Sequence, residues 1–77
     1  MAITVMTASR IALAIRLLKA RPHRIVDLCT AIGMTDSKYA QQEIRHLIYA
    51  FLEQGHVLVA ENALNPRERT YLWRDSQ

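Results

Sequence analysis

The sequence predicts a mainly α chain that closes on a C-terminal β-hairpin. Three observations predict it. Apolar residues recur at helical spacing from Thr7 to about Gln54. The whole chain holds two Gly and two Pro, too few for disorder or for an all-β fold with many turns. After Gly55 the period changes: His-Val-Leu-Val-Ala and Thr-Tyr-Leu-Trp are β-prone runs on either side of a polar loop. At 77 residues this is one small domain, residues 1–77, and its 51% apolar content is enough for a packed core.

The first helix is expected from Thr7 to Ala20. Ile11, Ala14, Ile15 and Leu18 share one stripe, at the i, i+3, i+4, i+7 spacing of an amphipathic helix. Thr7 is the N-cap, Lys19 and Arg21 suit the C-terminal end, and Pro22 stops the helix. Met6, Leu13 and Leu17 form a second apolar stripe, away from Ile11 and Ile15. A helix apolar on two sides is buried on two sides. Either the C-terminal segment covers Met6, Leu13 and Leu17, or they form the interface of a homodimer, which is the expectation for so small a domain.

Residues 23–33 hold a short second helix with Val26, Leu28, Cys29 and Ile32 on its apolar side and Gly33 as its stop. Ile25 belongs either to this helix or to a short strand leading into it. Thr35 or Asp36 caps a third helix from about Ser37 to Gln54, with Gly55 just past its end. The hairpin follows. Its loop carries Asn65-Pro66, a turn signal, and two arginines, Arg67 and Arg69.

On a helical wheel the third helix separates into two faces. With Lys38 at 0°, Ala40, Ile44, Leu47 and Phe51 fall between ~180° and ~240°, and Ile48 lies toward one edge. Gln42, Arg45 and Tyr49 fall within ~40° of Lys38, with Gln41 near −60°. The apolar arc is a core seam. The other arc carries no acid at its centre, and neither Lys38 nor Arg45 has an opposite charge four residues on. Surface helices routinely carry Lys, Gln and Arg, so a solvated face is the alternative. Gln and Arg are, however, the side chains whose paired groups match adenine and guanine edges in the major groove. A net charge of +3 and a pI near 9.5 suit a polyanionic partner.

The order helix, helix, turn, longer helix, hairpin resembles the winged helix-turn-helix family. Leu28-Cys29-Thr30-Ala31-Ile32-Gly33 is similar to the family's second-helix segment L-A-x-x-L-G. Ile44, Ile48 and Phe51, followed by Gly55-His56-Val57, resemble the recognition-helix pattern that ends L-x-x-x-G-x-V. Thr70-Tyr71-Leu72-Trp73 looks like the return strand of the wing. The likeness covers roughly Ile11 to Trp73. Gly55 follows Gly33 by 22 positions, longer by about one helical turn than the family's usual pattern. The size, the Thr35-Asp36 turn and the Thr-Tyr-Leu-Trp end are also similar to small enterobacterial fimbrial switch regulators.

The resemblance implies a small bacterial or phage transcription regulator that binds double-stranded DNA. Lys38, Gln41, Gln42 and Arg45 would reach base edges in the major groove, and Ser37 at the helix start would meet a phosphate. Tyr49 would meet the backbone, if anything. Arg67 and Arg69 on the wing would take phosphates or enter the minor groove, with Arg24 a further phosphate candidate. The alternative within the same fold is a protein–protein interaction module that does not bind DNA.

Other chemistry is not expected. Cys29 stands alone in an apolar stretch and reads as a small buried hydrophobe. His23, His46 and His56 lack metal-ligand spacing. No nucleophile elbow, P-loop or dinucleotide fingerprint occurs. An enzyme, a cofactor and a metal are therefore not expected. Arg10 and Arg16 interrupt the N-terminal apolar residues, so neither a secretory signal nor a membrane span is expected, and a cytoplasmic, nucleoid-associated protein is. No sensing pocket is expected, which leaves control to expression level or to another regulatory protein.

Overall fold

The computed structural model describes residues 7–34 and 38–76. They form three helices and one two-stranded antiparallel sheet: α1 (Ala8–Ala20), α2 (Ile25–Ile32), α3 (Lys38–Gln54), β1 (Val57–Glu61) and β2 (Thr70–Trp73). Most of the described residues are helical. None of these helices is long and apolar enough to cross a membrane.

The helix ends follow their capping residues. Thr7 starts α1: its Oγ1 accepts the Arg10 N–H at 3.2 Å, which satisfies one of the donors a helix start leaves unpaired. Arg21 is extended ahead of Pro22, and α1 stops there. The ends of α2 and α3 share one device. Gly33 (φ 84°) and Gly55 (φ 81°) adopt the left-handed conformation. The N–H after each glycine reaches back to a carbonyl five residues earlier, Met34 to Cys29 and His56 to Phe51. Two such 6→1 closures turn the chain sharply after α2 and after α3, and both need a residue that tolerates positive φ. The expected caps Thr35 and Asp36 lie outside the described residues.

The core is one cluster with a contribution from every element: Leu18, Leu28, Cys29, Met34, Ala40, Ile44, Ile48, Val57 and Tyr71. On α1, Ala14 and Leu18 are fully buried and Leu17 packs against the cluster from its edge. Helix α1 packs against α2, against β2 and against the short turn that follows β2. Part of the second α1 stripe is thus covered by the chain itself. Leu13 is half-buried, and Met6 lies outside the described residues.

Ile25 falls in the helix and not in a strand before it. Two expectations need correction, the start of the second helix at residue 23 and the place of Ile48. His23 is extended and pairs with Tyr71 of β2 through hydrogen bonds of 3.0 and 2.8 Å. His23 is buried, and its Nδ1 donates to the Arg21 carbonyl at 2.8 Å. Ile48 is not at an edge of the core. It is fully buried, as are Ala40 and Ile44, whereas Leu47 and Phe51 are only half-buried. On the same wheel the buried arc centres near ~240°, turned toward the side that carries Gln41 and Arg45.

The hairpin pairs Val57 with Trp73, Leu58 with Leu72 and Val59 with Tyr71, with an irregularity between Val59 and Glu61. Its loop is tied down. Asn65 Oδ1 accepts the Arg67 N–H at 3.0 Å and starts a single 3-10 turn over Pro66–Glu68. At the hairpin base Trp73 stacks on His56 (5.5 Å between centroids), meets Phe51 edge-on (5.2 Å), and has the Lys19 ammonium 5.7 Å from its ring. These contacts join α1, α3, β2 and the residue that leads into β1, and so brace the hairpin base against α1 and α3.

Candidate functional site

A cleft of about 750 Å³ runs between α3, the start of α2 and the hairpin loop. One wall is α3, with Gln41, Arg45 and Tyr49. The opposite wall is the loop, with Asn65, Pro66, Arg67 and Glu68. Arg24, Ile25 and Val26 of the α2 start and Tyr71 of β2 complete it. Three of these residues are arginines and one, Glu68, is an acid, so the cleft is basic.

The turned core explains why α3 contributes these three residues. Ala40, Ile44 and Ile48 point into the core, so Gln41 and Arg45, one residue further on, lie at the seam between core and solvent. Tyr49 follows Arg45 by one turn and is 47% exposed. Four residues expected to act together, Gln41, Arg45, Tyr49 and Arg67, therefore line one cleft. Gln42 is exposed and does not line it. Lys38 opens α3, and Ser37 lies outside the described residues.

The arginines divide by partner. Arg45 and Arg67 form no side-chain ion pair among the described residues. Arg69 is occupied locally: its Nε donates to the Ala63 carbonyl at 3.0 Å and so braces the loop. Arg24 is held by two acids. Its Nε and Nη2 donate to the two Asp27 oxygens at 2.9 and 3.1 Å, and its Nη1 donates to Glu68 at 3.1 Å. The hydrogen bond from Arg24 holds the Asp27 carboxyl below the usual carboxylate range. The same bond, and then the charges of Asp27 and Glu68, hold the Arg24 guanidinium above its ordinary value. Sequence reading missed the Arg24–Glu68 bridge, because its residues stand 44 positions apart and no local pattern links them.

Burial pushes the Tyr71 phenol above its ordinary value of 10.0, and the Tyr49 phenol adds to the shift. A raised folded value means that the unfolded phenol ionises first. This contribution to stability is fully present below the ordinary value and is lost as pH rises through the folded one. Thermal melts should therefore show a fall in Tm above about pH 10 that is smaller in Tyr71→Phe. Identical alkaline slopes in the two proteins would refute the assignment.

No family model matches the chain, nor does any curated protein or solved structure.

Proposed function

We propose that this protein is a winged helix-turn-helix DNA-binding protein, a small transcription regulator, with α3 as the recognition helix and the β1–β2 hairpin as the wing. The observation that carries this reading is the cleft that joins Gln41, Arg45 and Tyr49 of α3 to Arg67 of the hairpin loop. A basic helix face beside a basic loop fits a duplex: the helix enters the major groove while the loop follows the backbone toward the minor groove. Arg45 offers a fork for guanine O6 and N7, and Gln41 offers an amide for adenine N6 and N7. Arg45 and Arg67, without acid partners among the described residues, add attraction that needs no particular sequence.

Fluorescence anisotropy with a random duplex at two salt concentrations tests this. The expected result is binding that weakens steeply with added salt, and that Arg45→Ala combined with Arg67→Ala abolishes. No binding by the unaltered protein at low salt would overturn the reading. The same cleft would then be the place to look for an acidic protein partner.

A further inference from the structure

Arg24 combines a fixed orientation with a weakly held outer donor. Asp27, three residues on in the first turn of α2, grips Nε and Nη2 with both carboxylate oxygens. A two-point contact of this kind fixes the guanidinium plane, and it is local to α2. The remaining terminal nitrogen, Nη1, faces the hairpin loop and donates to Glu68. That second contact is solvent-accessible: the side chains of Arg24 and Glu68 are 36% and 55% exposed. A one-point ion pair this exposed contributes little to stability and exchanges readily, whereas the Asp27 pair, with Asp27 45% exposed, is held at two points. Glu68 is also the single acid among the described residues that line the cleft, where it shares the space with Arg45 and Arg67.

We propose that Arg24 is a phosphate-binding residue: Asp27 aims it, the Glu68 carboxylate occupies its Nη1 in the free protein, and a backbone phosphate of the duplex takes the place of Glu68 on binding. This rests on the reading of the cleft as a DNA surface. A phosphate offers the same kind of anionic oxygen as Glu68, and guanidinium pairs well with it. Glu68, displaced, is left as a carboxylate beside the DNA backbone and opposes binding. The pair therefore restrains indiscriminate attachment to DNA by a chain of net charge +3.

The test is the sign of two substitutions. Anisotropy against the random duplex, over a series of salt concentrations, compares Glu68→Gln, Arg24→Ala and Arg24→Lys with the unaltered protein. Thermal melts of each variant confirm that it is folded. If the proposal is right, Glu68→Gln binds several-fold tighter. Arg24→Ala binds more weakly, and its slope of log affinity against log salt is shallower by about one. Arg24→Lys stays weakened, because an ammonium cannot be held by the two-point grip of Asp27. If the bridge serves only to position the hairpin, Glu68→Gln and Arg24→Ala weaken binding alike, and the proposal fails. Full rescue by Arg24→Lys also overturns it, since charge alone would then suffice. Both outcomes leave the DNA reading intact as long as Arg45→Ala with Arg67→Ala abolishes binding. Absence of binding by the unaltered protein at low salt overturns both.

Discussion

Ile48→Ala should destabilise the protein by about 2–5 kcal/mol, as much as Ile44→Ala and more than Leu47→Ala. Ile48 and Ile44 are both fully buried in the cluster that joins all three helices to the hairpin. Truncation to Ala removes the transfer free energy of three carbons and leaves a cavity that neighbouring helices only partly fill. Leu47 is half-buried and has less to lose. Tyr39, on the same helix but 78% exposed, is the control, and Tyr39→Ala should stay within about 0.5 kcal/mol. Folded domains have about 5–15 kcal/mol in total, so the loss at Ile48 would be a large share of it. Urea unfolding of the four variants measures this. A cost at Leu47 equal to that at Ile48 would mean that α3 is rotated from the orientation described.

Ile48 also shows where sequence reading stops. Helical periodicity separates an apolar arc of α3 from a polar one, and that separation holds. It does not say which neighbour covers which part of the arc. Helix α3 packs against α2 and against β1, and these contacts shift the buried centre from Leu47 toward Ile48. The consequence for the site is direct, because the same shift brings Gln41 and Arg45 to the edge of the cleft.

Features with local causes were legible. Thr7, Pro22, Gly33 and Gly55 mark helix ends through backbone conformations that their residue types favour or forbid. Asn65-Pro66 does the same for the hairpin loop. Features that join distant residues were not. The His23–Tyr71 bridge is one extended residue against a strand, too short to leave a pattern. Arg24, Arg67 and Arg69 read alike as basic residues, yet one is held by two acids, one has no acid partner among the described residues, and one braces its own loop. Charge is visible in a sequence, whereas its partner is set by the fold.

Arg45→Ala and Arg67→Ala should differ in kind once a preferred duplex has been selected. Arg45 is on the α3 wall of the cleft and Arg67 on the loop wall. With α3 in the major groove, Arg45 meets base edges, and its loss should cost about 1–3 kcal/mol on the selected duplex and relax the preference at one base pair. On a random duplex the same substitution should cost less, because the charge is lost there too but there is no matched guanine to lose. With the loop against the backbone, the loss of Arg67 should weaken selected and random duplexes by similar factors and lower the salt slope by about one. The two walls can thus be told apart by a ratio, the affinity for the selected duplex over that for the random one. Arg45→Ala lowers this ratio and Arg67→Ala leaves it unchanged. If Arg45→Ala also leaves the ratio unchanged, α3 holds the duplex without reading it, and specificity must come from the shape and deformability of the DNA.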